Sequence, residues 1–337
     1  MSAEGGAPVQ LPSLPGLRLR PFQGPEDYPG MVAVALASGA ADGQERMDTV
    51  DGMAEAYATK LVNCDPFQDL VIAEVDGRMV GYVRGHWEDD IPGTRVYLST
   101  GFLAPEWRRR GIGRAMLDWV QDRLRAIAST HPSGLERYLM ATADHFASGT
   151  AALLREAGYQ PWREFLNLTR SLAEPIPEAP LPPGLALRPV RPEHLPAIWA
   201  SIHESPEDEW PYDPPTEAGY QAWLADATRF QPQLWPIAWD MASGEVAGHA
   251  LPFIDEAENK AFDRLRGYAE GIGVSRAWRR RGLGRALVLA SLRVLREAGM
   301  TEATLAADGS SANDVARFYE SCGFQVETRD VIYRKAL

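Results

Sequence analysis

Residues Trp278–Ala286 read WRRRGLGRA and residues Trp107–Ala115 read WRRRGIGRA, two nonapeptides that differ only at Leu283 against Ile112. They stand 171 residues apart (278 against 107), a distance that marks a duplicated domain rather than an array of short repeats. Each follows a short apolar run, GIGV at Gly271–Val274 and GFLAP at Gly101–Pro105. Each also opens a long amphipathic pattern. Leu283, Leu287, Ala290 and Val294 share one helical stripe, as do Ile112, Met116, Val120 and Ile127. A strand, a glycine turn and a helix N-terminus are therefore expected twice.

That combination makes an anion site. The first N–H groups of a helix have no partner within it, and the helix dipole puts partial positive charge there. Gly282 and Gly284 leave no Cβ between this backbone and a ligand, and Arg279, Arg280, Arg281 and Arg285 add formal charge. A dinucleotide-binding turn needs a third glycine where Leu287 and Met116 stand, and the Gly-Lys-Ser/Thr of a Walker loop is absent. What remains is Arg-x-x-Gly-x-Gly five residues after a strand-end apolar residue: Val274 then Arg279, and Leu103 then Arg108.

This pattern resembles the acetyl-CoA-binding motif of the GNAT superfamily of N-acetyltransferases (acyl-CoA N-acyltransferases). The resemblance implies acetyl-CoA as co-substrate, its pyrophosphate held by Arg279, Arg280, Arg281, Gly282, Leu283, Gly284 and Arg285. It also implies that backbone at Ile272, Gly273 and Val274 hydrogen-bonds the acetyl carbonyl. Leu103, Arg108, Arg109, Arg110, Gly111, Ile112, Gly113 and Arg114 are the matching set in the earlier copy.

The duplication extends beyond the turns. LRLRPF from Leu17 is echoed by LALRPV from Leu185, and each precedes a helix-like run. Between the copies, AEPIPEAPLPPG at Ala173–Gly184 is stiffened by proline and reads as a linker. The expected division is a loose leader over residues 1–15, a domain over 16–172, the linker over 173–184 and a second domain over 185–337. In the first copy Asp76-Gly77 turns a hairpin between alternating apolar runs; in the second, Ser243-Gly244 does. A third strand then leads into each glycine turn, and a strand, a short helix and closing strands follow. The order resembles the GNAT fold, an α/β class with a mixed sheet packed by helices, here as two tandem domains.

Composition narrows the function. A chain of 337 residues that is 45% apolar supplies a core to each of two domains. A net charge of −12 disfavours a nucleic-acid surface. Cys64 and Cys322 lack metal or redox spacing, the six histidines show no ligand spacing, and no metal is expected. No apolar run reaches membrane-spanning length and the N-terminal residues lack the parts of a signal peptide, so a cytoplasmic protein is expected. A tandem repeat is already an internal pseudo-dimer, which favours a monomer.

The copies part at the positions where chemistry is needed. NDVARFYESCGF resembles the GNAT pattern Asn-x-x-Ala-x-x-Tyr-x-x-x-Gly-Phe at Asn313, Ala316, Tyr319, Gly323 and Phe324. The resemblance implies that Tyr319 protonates the departing thiolate and that Asn313 borders the coenzyme; Asn313 also reads as an N-cap. As a helical residue beside Val315, Phe318 and Cys322, Tyr319 equally reads as a core aromatic. In the first copy Leu154 and Ser148 hold the two places. On the third strand Glu270 lies nine residues before Arg279, and Ser99 nine before Arg108. An acceptor amine is protonated near neutrality, so a base is required, and Glu270 is the candidate. The second domain is therefore expected to hold the chemistry and the first to be catalytically degenerate.

For the acceptor, ESPEDEWPYD at Glu204–Asp213 carries five acids and no base, with Trp210, Tyr212 and Trp223 among or near them. A small cationic primary amine suits carboxylates and aromatic faces. A solvated acidic loop is the other reading of this segment. Two alternatives for the whole chain are a non-catalytic acyl-CoA-binding regulator and a tandem acetyltransferase similar to mycothiol synthase, the latter resting on layout alone.

Overall fold

The structure is a computed structural model that describes residues 10–337 except residues 60, 92, 205–214 and 311–313. The chain divides into two compact units, Met1–Arg163 with Asp330–Leu337, and Glu164–Arg329.

The first unit begins with β1 (Leu17–Pro21), α1 (Tyr28–Ala41), α2 (Val50–Thr59) and α3 (Pro66–Asp69). It continues through β2 (Leu70–Val75), β3 (Arg78–Asp89), β4 (Thr94–Leu103), α4 (Ile112–Ser129), β5 (Glu136–Ala143), α5 (Ser148–Glu156) and the start of β6 (Gln160–Ser171). β1 to β4 are antiparallel neighbours in order, and β4 pairs with β5 in parallel. Every residue of β2 is buried, because helices cover both faces of the sheet. On one face α4 sets Ile112, Met116, Val120 and Leu124 into the core; on the other, α1 sets Tyr28, Met31 and Val34. Asp76 and Gly77 take φ of 50° and 82°, the two positive values a tight hairpin turn demands. The β4–β5 pairing ends at Leu98 and Met140 although both strands run on, so a gap opens between them.

The second unit contains β7 (Leu185–Leu187), α6 (Leu195–Ile202), α7 (Glu217–Ala225), β8 (Ile237–Asp240), β9 (Val246–His249) and α8 (Glu256–Ala261). β10 (Arg266–Tyr268), β11 (Gly273–Val274), α9 (Leu283–Glu297), β12 (Glu302–Asp308), α10 (Val315–Ser321) and the start of β13 (Gln325–Ala336) complete it. The third strand of this copy, expected to be continuous, is broken. Gly271 at φ 62° divides β10, which pairs with β12 in parallel, from β11, which pairs with β9. Only a residue tolerant of positive φ can make that bend. The consequence is a splay: from Glu270 to Val274 the chain leaves β12 while it stays beside β9 and its continuation at Leu251 and Phe253. α9 seals one side with Leu283 and Leu287, and with Val288, Leu289, Leu292 and Leu295 further along. On the other side Ile198 of α6 packs with Trp235, Ile237, Trp239 and Val246.

The units depart from the boundaries 16–172 and 185–337 at both closing strands. Phe165–Ser171 of β6 pair with β12 in the second unit, whereas Val331–Ala336 of β13 pair with β5 in the first. Each copy thus ends on a strand supplied by the other's sequence. Ala173–Gly184 forms no regular element and lies within the second unit, where Ile176 and Ala179 pack on the core. The leader is not loose throughout. Leu14 N–H donates to Pro12 O at 2.7 Å, and Leu14 packs on the core of the first unit. No helix among the described residues is long and apolar enough to cross a membrane.

Candidate active site

Both glycine turns take the same backbone path. Arg280 and Gly282 have φ of 61° and 87°, and Arg109 and Gly111 have 61° and 83°. Left-handed residues that alternate with extended ones point successive N–H groups into one concavity, which suits an anion. Leu283 and Ile112 open the helices directly after, and each is almost fully buried and anchors the turn.

The arginines do less at the ligand face than their charge implied. Arg279 Nε donates to Val274 O at 3.2 Å and Arg108 Nε to Leu103 O at 3.5 Å. The five-residue spacing is thus a brace between turn and strand end. Arg108 also spends its fork on Asp42 at 2.6 and 2.7 Å and on Ser38 Oγ at 2.8 Å. Arg281 stacks over Trp278 at 5.0 Å and Arg110 over Trp107 at 4.8 Å. Arg114 Nε bonds Asp118, and Arg285 donates to Ser321 O at 2.6 Å and Oγ at 2.7 Å, which ties α10 to the start of α9.

A Cβ placed on Gly282 would meet nothing within 4 Å, and one on Gly284 would only touch Val274 and Phe318 at ordinary distances. The space beside both glycines is thus unobstructed by the described residues, which suits the close approach of a coenzyme diphosphate. At Gly111 the same added atom would come within 2.9 Å of Pro12 Cβ. Gly113, like Gly284, is unobstructed, with Leu153 at 3.6 Å.

The backbone of the splay has a defined orientation. Ser275 N–H donates to Ala247 O at 3.0 Å, which makes 275/247 a hydrogen-bonded pair of the antiparallel ladder. By alternation Gly273/His249 is another, and the polar groups of Ile272 and Val274 turn away from β9 towards the gap. The brace from Arg279 to Val274 O agrees with that orientation. N–H groups aimed into a gap beside an anion cradle are what an acetyl carbonyl needs.

Glu270 sits where the splay begins, its backbone O accepting from Leu251 N–H at 3.0 Å. Burial raises its carboxyl above the usual carboxylate range, and Arg229 draws it back only partly. Tyr319 is held by edge contacts with Phe318 at 5.0 Å and Phe324 at 5.9 Å between ring centres. Burial pushes its phenol up to about 12, with the charges of Cys322 and Glu270 adding to the rise. The phenol and the carboxyl are thus near enough to act on each other. One stays protonated across the physiological range and the other is a strengthened base.

The first copy brings no such pair together. Leu154, at 2% exposure, is a core residue, and Ser99 lies on β4 opposite Gly85. Ser148 is the first residue of α5. The cap of α10 is Asp314, whose side chain accepts from Arg317 N–H at 3.4 Å; Asn313 lies outside the described residues. Residues 205–214, which hold most of the acidic segment, also lie outside them, while Glu204 is exposed. Trp223, half-buried, stacks on Trp235 at 5.4 Å and meets Phe230 edge-on at 5.2 Å, so one side of its ring is committed to packing. No group of three or more His, Cys, Asp and Glu side chains that could hold a metal occurs among the described residues.

One feature was missed from sequence. His249, 5% exposed on β9, faces Gly273 across the ladder and contacts Ser201 Oγ at 2.9 Å. Its one signal was position, since it ends the hairpin strand next to the glycine-rich GIGV run.

Residues 41–159 and 197–324 match the acetyltransferase (GNAT) family. A mycothiol acetyltransferase of Salinispora arenicola is 30% identical over 319 residues, covering 93% of this chain and 94% of its own. That of Salinispora tropica is 31% identical, covering 90% and 91%. Among solved structures, a GCN5-related N-acetyltransferase from Sphaerobacter thermophilus aligns with a TM-score of 0.73 at 22% identity over 97% of both chains. A tandem GNAT protein from the clavulanic acid biosynthesis pathway aligns at 0.64 and 20% identity, over 95% of this chain and 98% of its own. With both copies of its duplicated sequence matched and relatives aligned along nearly their whole length, the chain belongs to the acetyltransferase (GNAT) family and is an acetyl-CoA-dependent N-acetyltransferase.

Proposed function

We propose that the second unit transfers the acetyl group of acetyl-CoA directly to a primary amine, and that the first unit does no chemistry. The observation that carries the reading is the pairing of Glu270 with Tyr319 beside the open cradle at Gly282, against Ser99 and Leu154 in the first copy. Arg280, Arg281, Gly282, Leu283 and Gly284 hold the coenzyme diphosphate, and the N–H groups of Ile272 and Val274 receive the acetyl carbonyl. The coenzyme supplies the acetyl group as a thioester.

Glu270 accepts a proton from the substrate ammonium, directly or through one water. The freed nitrogen lone pair forms the C–N bond as the C–S bond breaks. Tyr319 delivers its proton to the sulfur, the product nitrogen gives up its second proton to the phenolate or to water to leave the neutral amide, and Glu270 releases its proton to solvent. Each assistance contributes ~10²–10⁴-fold.

For the acceptor, the similarity to mycothiol acetyltransferases over nine-tenths of the chain favours the unacetylated amine form of mycothiol. The test is an acetyl-transfer screen across that amine, polyamines, amino acids and peptide N-termini. Acetylation of the mycothiol amine with at least tenfold higher kcat/KM than the others supports the assignment, and preference for another amine removes it. Full activity in Tyr319→Phe would remove the acid role.

A further inference from the structure

The catalytic pair leaves one buried polar group at the splay without a task. His249 ends β9, and its imidazole lies over Gly273, so that a Cβ on that glycine would come within 2.5 Å of Nε2. The ring therefore reaches across β11 towards the gap, on the side where α6 packs. Its Nδ1 is 2.9 Å from Ser201 Oγ, and the same hydroxyl is 2.7 Å from Ile198 O. A hydroxyl has one proton and a carbonyl can only accept. Both contacts are satisfied only if Ser201 donates to Ile198 and the Nδ1–H donates to Ser201. The neutral ring is then the tautomer with a bare lone pair on Nε2.

That lone pair has no hydrogen-bond partner among the described residues. Nor is Nε2 among the buried polar atoms sealed from solvent without a partner, so the lone pair is open to a ligand or to water. The ring is neutral near pH 7, because burial pulls it down to about 4 and His203 adds to the fall. The first copy has Tyr82 in the matching register, opposite Phe102, with its ring packed among Phe22, Tyr28 and Met31 and no basic nitrogen. The basic atom thus occurs only in the copy with the carboxylate and the phenol.

We propose that His249 is a second contact of the acceptor: its Nε2 accepts a hydrogen bond from an N–H of the amine nitrogen and turns that nitrogen's lone pair towards the carbonyl carbon held at Val274. The inference rests on the reading of the second unit as the transferase site. Glu270 removes one proton, and His249 fixes the direction of attack by holding another. Because the ring is locked through Ser201, it orients any amine that keeps an N–H to donate after losing one proton to Glu270.

The test is made on the full chain. His249→Phe keeps an aromatic of similar bulk without the acceptor atom. It should lower kcat/KM for the amine by ~2–10-fold, the worth of a hydrogen bond between neutral groups, while acetyl-CoA affinity by calorimetry is unchanged within error. His249→Gln, whose amide oxygen reaches the Nε2 position, should recover most of the loss; His249→Asn should not. As a readout independent of turnover and of variant folding, the chain labelled with ¹⁵N-histidine is saturated with coenzyme A and titrated with the mycothiol amine, then separately with n-propylamine. The Nε2 resonance of His249 should begin at the position of an unprotonated nitrogen and move with either amine. An Nε2 that starts protonated, or that neither amine shifts, overturns the proposal. Full activity in Tyr319→Phe alongside a shifting Nε2 would instead sink the acid assignment and leave this contact standing.

Discussion

The ring of Pro12 lies against Gly111, so that a Cβ on that glycine would stand 2.9 Å from Pro12 Cβ, whereas Gly282 in the matching turn has open space within 4 Å. With Arg108 also committed to Asp42, the first cradle is covered by its own leader. Calorimetry should therefore count one acetyl-CoA per chain. A chain lacking residues 1–15 should count a second, weaker site; two sites in the intact chain would refute the cover.

Gly282→Ala separates the cradle from the fold. At φ 87° an alanine costs ~1–2 kcal/mol of backbone strain, but it meets no neighbour. The melting temperature should fall by a few degrees, and acetyl-CoA affinity should fall about tenfold or more as the N–H groups are displaced. An unchanged affinity would move the coenzyme elsewhere.

As the proposed base, Glu270, raised by burial, should set the acid limb of kcat. As pH falls through its pKa the carboxylate takes a proton and the rate is lost, so the limb should lie above the ordinary value of 4.5. Glu270→Gln should flatten that limb and lower kcat by ~10²–10⁴-fold with coenzyme affinity intact. Steady-state rates from pH 4.5 to 8 check both.

His249 links stability to pH. Its folded value near 4 lies below the 6.5 of an unfolded histidine, so the unfolded chain binds the extra proton between the two. The stability is complete above pH 6.5 and drains away as pH falls towards 4. Unfolding free energies from urea melts at pH 7 and 5 should differ by ~1–2 kcal/mol less in His249→Gln than in the unaltered chain. Equal differences would place the imidazole in solvent.

The glycine turns were legible because their requirements are local. Positive φ, N–H groups without helical partners and a buried first helical residue all fall within nine letters. Glu270 and Tyr319 were singled out by spacing from those turns and by resemblance, and the duplication showed which copy has other residues at those places. The tie of His249 to Gly273 was not legible, since it needs the ladder register and a serine 48 residues away. The brace from the first arginine of each turn to a strand-end carbonyl was not legible, since spacing reveals a cation but not the carbonyl its Nε meets. The closing strands defeated the boundary reading for another reason: β6 and β13 are amphipathic strands of the same kind, and nothing within either says which sheet it completes.

That exchange of closing strands makes the proline-rich stretch at Ala173–Gly184 a false seam. A gene cut there yields an upstream piece without Val331–Ala336 and a downstream piece stripped of Phe165–Ser171, each with a raw sheet edge open to aggregation. The duplication has thus become irreversible: neither descendant can be released to live alone, because each copy is stitched through the other.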